Sequence, residues 1–575
     1  MASPSLSSVE LRAVLVAAAA ALAPEPVHQR VLLQLRRWGV VVHGRWQLSL
    51  QLFGLAFIWP VLRQLLLQWR HAGIRGFVSM VFSKLVASIV ELPIIRGVVR
   101  KELSKEIVAI ENKILGNGDP TARVCLPKDS VPSHQIKGEL EELMRQEHEQ
   151  KSGTGGKQWA GIYHESHGPL VDLQNQVWSM YNSTNTLYEG VFPSIRKFEA
   201  ELVSWVLHLV HGDPEAGGGL LTSGGTESVL LGALAYRELG RSRGIEVPRI
   251  IAANTCHPAI VKACHYFGMS LTKVPVDAST GFALSARAVR PYLAGDVVCI
   301  YASAPTFPHG VVDQIEDLAA LATSQGIGLH VDNCLGGILL SFLDRLHLSS
   351  HQMWDFRVPG VTSISVDIHK YGNASKGASV VVFANKALRR LTYVPVCDGC
   401  EGLYVTSSMQ GARGGAIIAQ AWATMLHFGE SGYLAFAKEI HELHSAYQDI
   451  ITSIPQLRVL CPCHACIIPI VADRLNIYVI ASLMEERGWN LFTGQHPPVM
   501  SICIGELHKH TKAAFEADLR EAVELAESSP ELRPHGAAAV YGAASTTPAV
   551  LLKEVIRQYV DVKLSVKQQP SSTSM

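Results

Sequence analysis

The chain has 575 residues, of which 48% are hydrophobic and 17% charged, so it is not a disordered protein and can bury an extensive core. Its 50 basic and 50 acidic residues balance, and no global positive field points to nucleic acid. The 11 cysteines are an odd number scattered through apolar runs, which reads as reduced thiols rather than a disulfide framework. In chain order, residues 1–45 form an N-terminal segment, and a transmembrane helix is expected over 46–67. Between Glu25 and Glu91 there is no acidic residue, yet Arg30, Arg36, Arg37, Arg45, Arg63, Arg70, Arg75 and Lys84 are present. WQLSLQLFGLAFIWPVL begins this helix; Trp46 and Trp59 suit a membrane interface, and Arg63 can reach the headgroups. The same residues also allow an in-plane amphipathic helix, an Arg-rich transit peptide, or a signal-peptide core in the Ala-rich stretch at 13–23. A helical linker follows over 68–125. In it Leu103, Ile107, Ile110 and Ile114 recur at helical spacing until GNGDP breaks the pattern.

Residues 126–430 are expected to form a large domain. The stretch 126–157 is polar, and KSGTGGK reads as a flexible loop. Phe198, Leu202, Trp205 and Leu209 make one helical stripe. RIIAAN, VVCIYAS, IGLHVDN, SISVDI and ASVVVF are strand candidates, with helices predicted at 227–239, 257–267 and 313–324. Strands alternating with helices imply an α/β domain with a mostly parallel sheet covered on both faces. Beyond 430 the order changes. Helices near 433–453, 476–487 and 511–527 surround strands near 457–471 and 499–504, so 431–562 is expected to be a smaller α+β domain. The tail 563–575, ending QQPSSTSM, reads as disordered.

Ligands collect at the carboxyl ends of strands in such sheets, and four marked stretches lie there. LTSGGTES opens a helix at Gly225 and Thr226, where free N–H groups suit a phosphate; a plain N-cap uses the same residue types. NTCHPAI places His257 at another helix start. LHVDNCLGG ends a strand on Asp332, a carboxylate that must find a cationic partner if buried. SVDIHKYGNASKG follows a strand with His369 and Lys370, then Lys376. An environment that depresses Lys370 would leave a neutral amine able to bond covalently to an aldehyde. Each signal is weak alone. Their order matches the needs of pyridoxal 5'-phosphate: a helix start for the phosphate, a flat side chain over the ring, an Asp for the ring nitrogen and a lysine for the aldehyde. Cys397 with Cys400, and Cys461, Cys463, His464 and Cys466, do not combine into paired Cys-x2-Cys spacing, and no metal is expected.

ELPIIRG, GIYHES, FPSIRKFEAELV, TSGGTESVLLGALAYREL, PTFPHGV, LHVDNCLGG, DFRVPGVTSISVDIHKYGNASKG and HFGESGY carry a resemblance over most of the chain. The sequence resembles the sphingosine-1-phosphate lyase family, fold-type I pyridoxal-phosphate enzymes related to the group II decarboxylases. The resemblance implies that Lys370 holds the cofactor covalently, Asp332 meets its ring nitrogen and His257 stacks on its ring. Gly225, Thr226 and His369 would contact its phosphate, with Asn185 and Thr406 contributing from matched loops. Lys376 and Tyr163 would bind the substrate phosphate or assist proton transfer. It further implies a homodimer with shared active sites, a phosphorylated sphingoid base as substrate, and a single-pass endoplasmic reticulum anchor with the catalytic domain facing the cytosol. The implied reaction is retro-aldol cleavage to a long-chain aldehyde and phosphoethanolamine; amino-acid decarboxylation on the same fold is the alternative. This sequence departs from the family pattern in one loop. Where the family has Asn-Pro-Leu-His, this chain reads NTLY, so Tyr188 replaces a histidine that looks phosphate-binding. DGCEG, GARGG around Arg413, and Thr406 for a family Ser are further departures.

Overall fold

The computed structural model describes residues 122–151, 156–158, 163–164, 167–349, 351–400, 402–536, 538 and 549–567. The expected transmembrane helix at 46–67 and nearly all of the helical linker lie outside the described residues, as does the tail beyond 567. Among the described residues no helix is long and apolar enough to cross a membrane.

Three helices come first: α1 (Ser133–Lys151), α2 (Pro169–Tyr181) and α3 (Pro193–Leu209). The polar run after 126 is therefore partly helical. It has no apolar stripe buried against the core, so periodicity gave no sign of it. α3 buries Phe198, Leu202 and Leu209, as the stripe predicts. Then follow β1 (Gly218–Thr222), α4 (Gly225–Ser242), β2 (Arg249–Ala253), α5 (Pro258–Tyr266), β3 (Ser270–Val274), β4 (Val297–Ser303), α6 (Ile315–Ser324), β5 (Gly328–Asp332), α7 (Gly337–Arg345), β6 (Ser363–Asp367) and β7 (Ser379–Phe383). These strands form one seven-stranded sheet in the order β1-β7-β6-β5-β4-β2-β3. Only β7 runs against its neighbours; the remaining pairs are parallel. Every residue of β4, β5, β6 and β7 is buried. A parallel sheet covered by helices on both faces has that property.

A short hairpin, β8 (Val396–Gly399) with β9 (Gly402–Tyr404), leads to α8 (Gly415–Thr452). α8 is interrupted at Gly429, whose φ of 57° and ψ of −174° are non-helical. Past it, β10 (Leu457–Val459), β11 (Ile467–Ala472), β12 (Phe492–Gly494) and β13 (Val499–Cys503) make an antiparallel sheet in the order β10-β11-β13-β12. α9 (Ile477–Glu486) packs on β13, α10 (Lys512–Ser528) packs on α9, and α11 (Ala549–Lys563) is the last helix of the described chain.

Candidate active site

The carboxyl ends of β1, β4, β5 and β6 open into one cavity of about 570 Å³. Lys370, His369, Asp332, His257, Gly225, Thr226, Tyr163 and Lys376 all line it, which unites eight of the expected site residues. Each arrives by a local rule. β1 ends at Thr222, and the turn Ser223–Gly224 delivers the first N–H groups of α4 to the cavity. That turn is tied by Glu227: Ser223 N–H and Oγ–H donate to its Oε2 at 2.7 and 2.6 Å, and Met409 N–H donates to Oε1 at 3.0 Å. Gly225 is required by space, because a Cβ there would lie 2.8 Å from both Asp367 Oδ1 and Cys334 Sγ. His257 is the N-cap of α5, and its Nδ1 accepts from Ala259 N–H at 3.2 Å. That bond fixes the ring of His257, with Phe307 edge-on at 5.6 Å.

Asp332 is buried at the end of β5. Cys334 N–H donates to its Oδ1 at 3.1 Å, Ser365 Oγ–H donates to the same oxygen at 3.3 Å, and Tyr301 Oη–H donates to Oδ2. Burial pushes its carboxyl up, but the neighbouring His257 and the Tyr301 and Cys334 donors outweigh burial and leave it below its ordinary value.

Lys370 follows β6. Its Nζ lies 3.0 Å from Asp367 Oδ2, and His369 Nε2 is 3.5 Å from the same oxygen. Burial opposes the Lys370 charge, yet Asp367 overcomes it and holds the amine above its ordinary value. The expectation of a depressed, neutral Lys370 is thus corrected: a carboxylate three residues earlier pairs with it. His369 is lowered by burial, against the pull of Asp367. Lys376 donates to His369 O at 3.0 Å and lies 4.3 Å from the Tyr163 ring centroid. Burial and the adjacent Lys370 charge bring Lys376 down to about 8, with Asp367 opposing. Tyr163 packs edge-on against Tyr371 at 5.1 Å, and burial raises its phenol.

These residues fit pyridoxal phosphate. Asp367 Oδ1 and His369 Nδ1 are buried without a hydrogen-bond partner beside the Gly225 cradle, while Asp332 presents a held anion at another wall of the cavity. The chain matches the pyridoxal-dependent decarboxylase conserved domain over residues 175–472. It is 32% identical to sphingosine-1-phosphate lyase 1 of Mus musculus over 88% of this chain and 89% of that one. The Arabidopsis thaliana sphingosine-1-phosphate lyase is 38% identical over 70% of this chain and 74% of its own. The sphingosine-1-phosphate lyase structure from Burkholderia pseudomallei superimposes with a TM-score of 0.70 at 31% identity, covering 78% of this chain and 98% of that one.

The chain belongs to the sphingosine-1-phosphate lyase family.

Three residues matched to this lyase family lie outside the cavity of their own chain. Asn185 pairs by a backbone bridge with Gly414, and its Oδ1 accepts from Leu187 N–H at 3.0 Å. Tyr188 is exposed. Thr406 Oγ–H donates to Ser408 O at 3.0 Å and lines a second cavity, of about 560 Å³, with Arg413 and Glu199. Sequence reasoning missed Asp367 as the partner of Lys370. The signal was present in SVDIHK, because an i, i+3 Asp on the turn after a strand is within reach of the lysine. Among the described residues no group of three or more side chains converges as a metal site. Cys463 Sγ is 3.7 Å from His444 Nε2.

Proposed function

We propose that this chain cleaves phosphorylated sphingoid bases between C2 and C3, yielding a long-chain aldehyde and phosphoethanolamine, with pyridoxal 5'-phosphate as cofactor. The observation that carries the reading is the pair of lysines in one cavity, Lys370 against Asp367 and Lys376 over Tyr163, facing Asp332. Lys370 would hold the cofactor, Asp332 would meet its ring nitrogen, His257 would lie over its ring, and Gly225, Thr226 and His369 would receive its phosphate. Bound there, the cofactor supplies an aldehyde for the substrate amine and a ring that accepts the electron pair of the broken bond.

The chain's own residues do the rest. Asp332 stays ionised and orients its carboxylate through three donors. The Tyr163 phenol, held protonated by burial, can serve as a hydrogen-bond donor to substrate and is a poor base near neutral pH. Lys376 Nζ, brought down to about 8 by burial and the Lys370 charge, is the cavity group suited to take the proton of the C3 hydroxyl. In its charged form it also attracts the substrate phosphate.

The active form we infer is a homodimer in which the Asn185–Tyr188 loop and the Thr406 loop reach the partner's cavity. Exposed apolar side chains on and beside those loops, among them Leu187, Val191, Leu403 and Val405, favour burial in such an interface. We further infer a single-pass anchor in the endoplasmic reticulum membrane with the catalytic domain facing the cytosol; the acid-free apolar stretch around 46–67 supports the anchor, and basic residues on both sides of it leave the orientation to the family resemblance. Aldehyde and phosphoethanolamine formation from a phosphorylated sphingoid base, with and without added cofactor, tests the reaction. Carbon dioxide release from amino acids with no aldehyde product would replace it with decarboxylation. Lys370→Ala is expected to abolish turnover and borohydride trapping of the cofactor.

A further inference from the structure

Asp332 is the end of a longer buried structure. Strand registers place Tyr301 beside His330, His330 beside Ser363, and Asp332 beside Ser365, all across the central strands β4, β5 and β6. On these strands the residues between them, Ile300, Ala302, Leu329, Val331, Ile364 and Val366, belong to the apolar core. The polar residues therefore share the opposite face, under α4, where a parallel sheet normally buries hydrocarbon. Polar groups there are costly unless they are paired.

They are paired in series. Tyr236 Oη on α4 lies 2.6 Å from Ser363 Oγ. Ser363 Oγ lies 2.8 Å from His330 Nδ1. His330 Nε2 lies 3.3 Å from Ser365 Oγ, and Ser365 Oγ lies 3.3 Å from Asp332 Oδ1. The His330 ring stacks on Tyr301 at 5.5 Å and 20°, and Tyr301 Oη reaches the other Asp332 oxygen. α4 makes room with Gly232, where a Cβ would lie 3.2 Å from the His330 ring.

Valence sets the direction of every proton. An ionised carboxylate only accepts, so Ser365 donates to Asp332. Burial holds the His330 imidazole down, to about 4, and keeps it neutral. A neutral ring has one N–H, so Nε2–H donates to Ser365 and Nδ1 accepts from Ser363. The chain of bonds ends on Asp332 with its dipoles aligned toward the anion, and each bond polarises the next.

We propose that Tyr301, Ser365 and His330 are positioning residues that hold Asp332 as an oriented anion, so that the cofactor ring nitrogen stays protonated during the reaction. The inference rests on the pyridoxal-phosphate reading above and assigns residues that do not themselves line the cavity. Weakening the donors destabilises the carboxylate and moves the shared proton from ring nitrogen to Asp332. A ring without that proton is a poorer electron acceptor, so the bond-breaking step slows while substrate binding holds.

The test uses holoenzyme loaded with cofactor carrying nitrogen-15 in the ring, in wild type, Tyr301→Phe, Ser365→Ala, Ser365→Thr and Tyr236→Phe. In wild type the ring-nitrogen resonance is expected at its protonated position. Tyr301→Phe and Ser365→Ala should each move it toward the unprotonated position. Each should also lower kcat about tenfold, the effect of one lost hydrogen bond to a charged group, with KM little changed. Ser365→Thr, which keeps the hydroxyl, should restore both, and Tyr236→Phe, which leaves every donor to Asp332 in place, should move the resonance less than either. A resonance unmoved in both Tyr301→Phe and Ser365→Ala would overturn the proposal, even if activity fell. An equal shift in Tyr236→Phe would also overturn it, because the effect would then be general. Wild type that takes up no labelled cofactor would refute the function reading and this inference together, a result distinct from labelled holoenzyme with an unresponsive ring.

Discussion

Asp367→Asn isolates the interaction that sets the protonation of the covalent lysine. Lys370 Nζ sits 3.0 Å from Asp367 Oδ2, and the carboxylate side chain is almost wholly buried. At an effective dielectric constant near 20, two unit charges at that separation attract by about 5 kcal/mol, about four pKa units as an upper bound. In wild type this attraction exceeds the desolvation that lowers Lys370, and the amine is held charged. The sign follows directly: an amine held above its ordinary value becomes neutral, and able to attack an aldehyde, only as pH rises well into the alkaline range. In Asp367→Asn desolvation remains and lowers Lys370, while the more distant Asp332 opposes it only in part. The pH at which half of the lysine reacts is therefore expected to fall by at least one unit. Stopped-flow absorbance after mixing apoprotein with pyridoxal phosphate, over a range of pH, measures that midpoint. Thermal unfolding of the same samples establishes that the variant is folded. A midpoint equal to wild type in folded protein would refute the electrostatic account of Lys370, because among the described residues Asp367 is the carboxylate that forms an ion pair with its Nζ.

Further outcomes are expected at neighbouring positions. Gly225→Ala forces a methyl against Asp367 and Cys334; it should cost about 1–3 kcal/mol of stability, read by thermal or urea unfolding, and should weaken cofactor uptake. Unfolding and uptake both unchanged would show that the cradle is roomier than its distances imply. Lys376→Met removes the group that titrates at about 8, so the rise of kcat with pH through that value should vanish; a wild-type profile that falls there would contradict its role as proton acceptor. Glu227→Gln weakens three hydrogen bonds that tie Ser223 and Met409, with an expected loss of about 1.5–3 kcal/mol in denaturant unfolding. Tyr188→His adds a titratable cation on the proposed inter-subunit loop; KM for a phosphorylated substrate should drop at mildly acidic pH with kcat unchanged, and an unaltered KM would place this loop away from the phosphate.

Much of the fold could be read because the core strands are rich in β-branched residues. RIIAAN, VVCIYAS, IGLHVDN, SISVDI and ASVVVF each mark an observed strand to within a residue or so. β1 and β3 escaped notice: GGLLT begins with two glycines, and SLTKV is short and only partly buried. The strands expected near 457–471 are two antiparallel ones, β10 and β11, separated by residues 460–466. The site residues on strand ends were legible one at a time, because Asp332, His257 and Lys370 stand where a run of apolar residues stops. Their charge states were not. Those depend on Asp367, Tyr301 and Ser365, which reach them through register and turn geometry. Even so, the alternation Ser-Ile-Ser-Val-Asp in a wholly buried strand is a visible anomaly, since a buried strand has no apolar reason to alternate. Asn185, Tyr188 and Thr406 came from resemblance alone, and within one chain the fold does not bring them to Lys370.

The kinked helical segment α8, from Gly415 to Thr452, has a consequence for how this enzyme can change over time. Its first turns pack beside α2 and α3 near the large sheet, and its last turns pack on the strands of the small one. The two lobes thus hang from a common rod with one joint, at Gly429, rather than from a flexible tether. Neither lobe is a module that recombination could exchange intact, and a chain cut at the joint should leave two fragments that dissolve poorly apart and regain shape only when mixed.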